Sequence, residues 1–237
     1  SADKSYLVGF KLGVKTTTGD AEGDVVSKSE VPSISLEQME ESLSPFRGEI
    51  WQVPSMYSAL KHQGRPLYEY ARQGITIERE PRKLFISELA VLSHEEDYVC
   101  CKVSCSKGTY IRSLVEDIGD LIGCGAHVTE LRRFTVGSFD ARNMLTIDVL
   151  QSALDQDLNQ LDDYLMPLSS SVTHLPSWNL SSHEVKKMRQ GCAVTLERKH
   201  EKKCVALYTP DKKFLGVGEI QESGLSLKAK QWAAPGT

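Results

Sequence analysis

Six cysteines in 237 residues, with no Cys-x-x-Cys among them, are too few and too scattered for a disulfide framework or a zinc-finger site. No apolar run approaches the roughly 18 residues of a membrane-crossing helix, and the opening residues carry no signal-peptide pattern. Internal repeats and low-complexity tracts are also absent. The chain has no overall excess of positive charge. Its 28 Lys and Arg face 32 Asp and Glu, for a formal net charge of −4, which argues weakly against nucleic-acid binding. What remains is 40% hydrophobic and 25% charged, a composition of soluble globular proteins, in a chain long enough for one large domain or two ordinary ones. A reducing, cytoplasmic setting follows from the cysteine usage.

The sum of charges conceals their segregation. Acids gather at Asp155, Asp157, Asp162 and Asp163; bases gather at Lys61, Arg65 and Arg72, at Arg132 and Arg133, and across Lys186–Lys203. Such segregation permits a basic, RNA-facing side, and it equally describes solvated helix faces and turns. Residues 52–80 combine two prolines, two glycines and a short helical stretch that starts near Pro66 and ends at Gly74. Tyr57, Tyr68 and Tyr70 are interleaved there with Lys61, His62, Arg65 and Arg72. Rings that stack on bases beside cations that meet phosphates suit RNA; a plain helical hairpin with inward tyrosines is the alternative.

Local grammar places the elements around this segment. Tyr6, Val8, Phe10, Leu12 and Val14 alternate with other residues as in a strand, and a polar, Gly-containing loop follows through Gly23. Ser35-x-x-Gln38 and Ser181-x-x-Glu184 are capping boxes, the second with Leu180 and Val185 as a hydrophobic staple, and Thr146 caps a third helix through about Leu154. Residues 84–92 and 98–104 read as paired strands. Short strands around Val194, Val205–Tyr208, Phe214–Ile220 and Leu225–Leu227 follow the last helix.

The stretch Cys105–Arg133, CSKGTYIRSLVEDIGDLIGCGAHVTELRR, is the most telling. Val99, Cys101, Val103 and Cys105 alternate as in a strand, with core packing the expected task of both cysteines. Gly108 breaks the pattern. Ile111, Leu114, Val115, Ile118, Leu121 and Ile122 then recur at helical spacing. Arg112 therefore falls in the first turn of a helix, where a cation opposes the helix dipole. A nearby carboxylate or phosphate would resolve the conflict; a structural ion pair is the ordinary explanation. His127 fits a structural or backbone-contacting role.

This stretch resembles the bacterial tRNA pseudouridine-55 synthases of the TruB type. The resemblance extends to SYLVGFKLGVKTTTGDAEG at residues 5–23, to QVPSMYSALKHQGRPLYEYARQG at residues 52–74, and to a terminal segment like a PUA RNA-binding domain. It implies an α+β fold with a mixed, mainly antiparallel sheet, flanking helices and a small β-barrel PUA-like domain at the C-terminus. The implied domains are residues 1–167, the C-terminal part of the catalytic domain with a thumb-like insert at about 52–80, and residues 172–237.

By the same resemblance the chain isomerises uridine to pseudouridine in the T-arm of tRNA, with no metal or other cofactor. Arg112 would pair with and orient the catalytic aspartate. Tyr6 would stack on the target base and help to move its proton, and Leu131 would pack beside the aspartate and keep the site dry. Lys61, Arg65, Lys107, Arg132 and Arg133 are candidates for RNA phosphates. Asp20 fits the loop pattern, whereas Thr17 and Gly19 stand where relatives carry aspartate and serine. The family's Gly-Thr-Leu-Asp-Pro nucleophile motif surrounds none of the thirteen aspartates. The expectation is an N-terminal segment or second chain that carries this aspartate, and no activity from these residues alone. A non-catalytic RNA-binding or tRNA-folding module is the alternative function.

Overall fold

The computed structural model describes residues 2–233, and the chain divides between Asn143 and Met144 into two compact units. The outer ends of the two expected domains, residue 1 and residues 234–237, lie outside the described residues.

The first unit runs β1 (Lys4–Leu12), β2 (Val14–Thr16), β3 (Val25–Lys28), α1 (Leu36–Ser42), β4 (Gly48–Gln52), β5 (Lys61–His62), β6 (Arg65–Pro66) and α2 (Leu67–Ala71). It continues through β7 (Arg82–Glu95), β8 (Tyr98–Cys105), α3 (Ile111–Ile122), β9 (Ala126–Val136) and β10 (Phe139–Asp140). Six of these strands form an antiparallel sheet in the order β10-β9-β1-β8-β7-β4.

Strand alternation drives Val8, Phe10 and Leu12 of β1, and Val99, Cys101, Val103 and Cys105 of β8, to one face. The apolar stripe of α3, Ile111, Leu114, Val115 and Ile118, closes on that face together with Met39 and Leu43. Each large side chain so buried contributes up to about 1.5–3 kcal/mol. Gly119 allows α3 to seat directly on the entry to β9, since a Cβ there would lie 2.3 Å from the Ala126 nitrogen. Gly123, in the left-handed conformation, ends the helix.

The Ser35 capping box forms as expected. The supposed single polar loop after β1 is instead interrupted by the β2–β3 ladder, which leaves residues 17–24 as a tight connection. The insert at 52–80 contains the β5–β6 ladder and the single turn α2, with Pro66 as N-cap rather than inside the turn.

The second unit contains α4 (Ile147–Gln156), β11 (Ser177–Asn179), α5 (Ser182–Arg189), β12 (Val194–Thr195), β13 (Cys204–Tyr208), β14 (Phe214–Ile220) and β15 (Ser226–Trp232). Short 3₁₀ turns at Leu158–Tyr164 and Leu168–Val172 connect α4 to β11. Five strands form one sheet in the order β11-β13-β14-β15-β12, over a core that includes Leu180, Met188, Val205, Leu207, Ile220 and Leu227. The Thr146 cap and the Ser181–Glu184 capping box are both present. β11 pairs in parallel with β13 and has no counterpart in the sequence reading, because three residues are too short for periodicity to register.

Candidate active site

Arg112 is the second residue of α3, after the N-cap Tyr110. The anion that the helix dipole calls for is present within the chain. Arg112 Nη1 donates to Asp20 Oδ2 at 2.7 Å and to the Thr18 carbonyl at 3.3 Å, while Nη2 donates to the Tyr57 carbonyl at 3.1 Å. One guanidinium thus ties the 17–24 connection, the start of α3 and the insert together. Its planar fork makes this reach available where the point charge of a lysine would not.

Asp20 is held as firmly as its partner. Its Oδ1 accepts from Thr18 Oγ1 at 2.5 Å and from the Glu22 amide at 3.2 Å, and its carbonyl accepts from Thr16 Oγ1 at 2.7 Å. A bridge to Val128 and the Val128 amide on the Gly19 carbonyl, at 3.0 Å, fasten the loop to β9. Partial burial pushes the Asp20 carboxyl upward, but the hydrogen bonds from Thr18 and Arg112 and the guanidinium charge outweigh it and hold the group below its ordinary value.

Tyr6 lies opposite Val103 on β8 and Arg133 on β9, next to a bulge at Ser5/Tyr6. Its side chain is half-buried against the core on the same side of the sheet as α3. Burial and the neighbouring Cys105 raise its phenol pKa, and a hydrogen bond with Arg133 opposes that rise. Leu131 stands opposite Val8 and so shares this face. It is 47% exposed, unlike an ordinary core leucine, because the buried part of β9 ends at Val128. Tyr6, Leu131 and Arg133 therefore line one stretch of the sheet face. Arg132, opposite Leu7, alternates to the other face, so the two adjacent arginines point away from each other.

Lys61 and Arg65 sit on the β5–β6 ladder of the insert, and Lys107 is exposed in the turn between β8 and α3. The aromatic–basic interleaving of the insert appears as internal pairs. Arg65 lies over the Tyr70 ring at 4.9 Å and meets Glu69 at 3.3 Å, and Arg72 lies over the Tyr68 ring at 5.4 Å. His127 is buried, with Nδ1 3.0 Å from the Val14 carbonyl, a backbone-contacting role.

Two carboxyl groups on α3 escape a reading by motif. Glu116 packs against Gly19, and burial raises the pKa values of both Glu116 and Asp117. Gln52 belongs to no chemical motif, although its period-two spacing from the buried Ile50 makes it inward-facing. Among the described residues no cluster of His, Cys, Asp and Glu could hold a metal ion, and no helix is long and apolar enough to cross a membrane.

The six-stranded sheet with its helical cover and the separate C-terminal sheet match the pseudouridine synthase fold. A solved Cbf5-Nop10-Gar1 complex superimposes with a TM-score of 0.69 at 22% identity, over 98% of this chain and 67% of that one. An H/ACA RNP bound to a substrate RNA containing 2′-deoxyuridine gives 0.66 at 20% identity, over 98% of this chain and 66% of the other. At these identities the likeness is one of fold.

Sequence comparison is narrower. Residues 1–111 match the TruB family pseudouridylate synthase N-terminal domain, residues 112–173 the tRNA pseudouridylate synthase B C-terminal domain, and residues 176–230 the C-terminal segment of pseudouridine synthase II TruB. The tRNA pseudouridine synthase B of Aeromonas salmonicida is 47% identical over 231 residues, which cover 94% of this chain and 72% of that protein. The protein of the same name from Mannheimia succiniciproducens is 48% identical over 221 residues, covering 92% and 72%. The chain belongs to the TruB family of pseudouridine synthases. The relatives are single chains, so the expected second polypeptide carrying an aspartate finds no support.

Proposed function

We propose that this protein isomerises uridine to pseudouridine in the T-arm of tRNA, at position 55. The observation that carries the reading is Arg112, held by three partners at a helix start in a chain that belongs to this family. The reaction detaches uracil from its ribose and rejoins it through carbon. The target base must first leave its stack, at a cost of a few kcal/mol.

In this reading Tyr6 stacks on the extruded base and assists its proton transfer. Leu131, half-exposed, supplies the apolar wall that keeps the reacting carboxylate dry. Arg112 orients the nucleophilic aspartate. The Gly-Thr-Leu-Asp-Pro aspartate is not among these residues, so the proposal has it contributed by polypeptide outside them, with Asp20 holding Arg112 in place beforehand. Lys61, Arg65, Lys107 and Arg133 meet RNA phosphates from the insert and the α3 side of the sheet, and Arg132 meets them from the opposite face. Residues 1–167 carry the catalytic role and residues 172–237 a PUA-like RNA contact, in the cytoplasm and without a cofactor.

The test is release of tritium from tRNA labelled at uridine C5, paired with tRNA binding, for the protein with the aspartate-bearing polypeptide present and for its Arg112→Lys variant. Turnover is expected to fall at least roughly tenfold in the variant, with affinity within about threefold. Equal losses in rate and affinity would reject the orienting role. Binding without release even with that polypeptide present would favour the second reading, a non-catalytic RNA-binding or tRNA-folding module.

A further inference from the structure

The first turn of α3 has no side-chain cap of its own, since Tyr110 at the N-cap position makes no side-chain hydrogen bond to it. A residue remote in sequence instead holds the backbone of the N-cap residue itself. Gln52, the last residue of the edge strand β4, is only 3% exposed, and its amide faces the Tyr110 backbone squarely. Its Oε1 accepts from the Tyr110 N–H at 2.8 Å, and its Nε2 donates to the Tyr110 carbonyl at 3.1 Å. The side chain acts as one extra residue of sheet, extending the edge strand into the helix start. A buried amide with both of its ends engaged fixes position in two directions at once, which a single hydrogen bond cannot do.

Arg112 lies two residues beyond this clamp. Its guanidinium must reach the Thr18 carbonyl, Asp20 and the Tyr57 carbonyl together, on two separate stretches of chain. That reach depends on where the first turn of α3 begins. Gln52 also opens the insert whose Tyr57 carbonyl receives Nη2, so one residue anchors both the helix start and one of the three acceptors. We infer that Gln52 is a positioning residue for Arg112, fixing the origin of α3 so that the guanidinium spans Asp20 and the insert together. The Tyr110 carbonyl also accepts from the Leu114 amide at 3.1 Å, so the helix itself does not depend on Gln52 to form. What Gln52 determines is placement.

The inference rests on the function proposed for Arg112 in its catalytic consequence, but it can be tested without turnover. Gln52→Glu keeps the acceptor for the Tyr110 N–H and loses the donor. Gln52→Met keeps the length and loses both. Carboxyl carbon NMR titration of the full chain reports the Asp20–Arg112 pair directly, and Glu88, paired with Lys102 elsewhere on the sheet, serves as an internal reference. In either folded variant the Asp20 midpoint is expected to rise while that of Glu88 stays in place. With the aspartate-bearing polypeptide present, turnover of tRNA should fall between roughly tenfold and a hundredfold, with KM within about twofold.

An unchanged Asp20 midpoint in a folded variant would overturn the inference. So would Asp20 and Glu88 moving together, which would mean general loosening. If the wild-type protein shows no turnover even with the aspartate-bearing polypeptide present, the function proposed above is at fault, and the Asp20 titration alone decides the role of Gln52.

Discussion

The Glu116 carboxyl occupies the space where a side chain on Gly19 would stand: a Cβ built on Gly19 would lie 3.0 Å from the carboxyl carbon of Glu116. Gly19 has φ of +72°, so any other residue there meets both a left-handed backbone and a neighbouring side chain. Gly19→Ala is expected to destabilise by about 2 kcal/mol in total, of which about 1 is backbone strain. In a Glu116→Ala background the steric part should vanish, leaving about 1 kcal/mol. Urea unfolding of the four proteins checks this; equal losses in both backgrounds would show that the contact exerts no pressure.

The acid dependence of stability follows from groups shifted in opposite directions. Burial raises Glu116 and Asp117, so the native state binds protons there more readily than the unfolded chain. Their contribution costs stability above the native pKa values and disappears as pH falls to the unfolded ones. Asp20 is the reverse, with its contribution complete above the unfolded carboxyl value and lost as pH falls through its depressed native value. Glu116→Gln should therefore raise stability relative to the wild type near neutral pH, with the difference closing as pH falls towards the ordinary glutamate range. Thermal midpoints of both proteins from neutral to acidic pH test the sign, and a gap that widens on acidification would refute it.

The exposure of Leu131 predicts a mild phenotype in these residues. Leu131→Ala should cost less than about 1 kcal/mol, whereas Leu114→Ala, in the buried stripe of α3, should cost about 2–5 kcal/mol. Comparable losses in denaturant titrations would place Leu131 in the core after all.

Lys61 and Arg65 share the β5–β6 ladder but not the same surroundings, since Arg65 is engaged by Glu69 and Tyr70. Lys61→Ala is expected to reduce the salt slope of tRNA binding by about one unit. Arg65→Ala should reduce it by less, because the neighbouring carboxylate already offsets part of its charge. Binding isotherms at four or five salt concentrations measure both slopes, and an unaltered slope for Lys61→Ala rejects its phosphate contact.

What the sequence discloses about this molecule is what neighbours along the chain determine. Ser35 with Gln38 and Ser181 with Glu184 cap helices through bonds only three residues apart, and the motif suffices to find them. The conflict of Arg112 with its helix dipole was equally local, and it correctly demanded an anion. The identity of that anion is not legible, because Asp20 is remote from Arg112 in sequence and is held beside it by a loop fastened to β9. The bulges at Ser5/Tyr6 and Gly9/Phe10 are likewise products of pairing rather than of pattern.

The place of β1 has a consequence for synthesis on the ribosome. Lys4 pairs with Cys105 on one side and with Val136 on the other, so an early strand lies between two late ones. Val8 and Phe10 leave the exit tunnel long before either ladder partner exists, and the sheet closes only after β9 has been translated. Until β8 emerges the nascent chain holds an unpaired apolar strand, which stays open on one side until β9 follows, and a chaperone would engage it in that window.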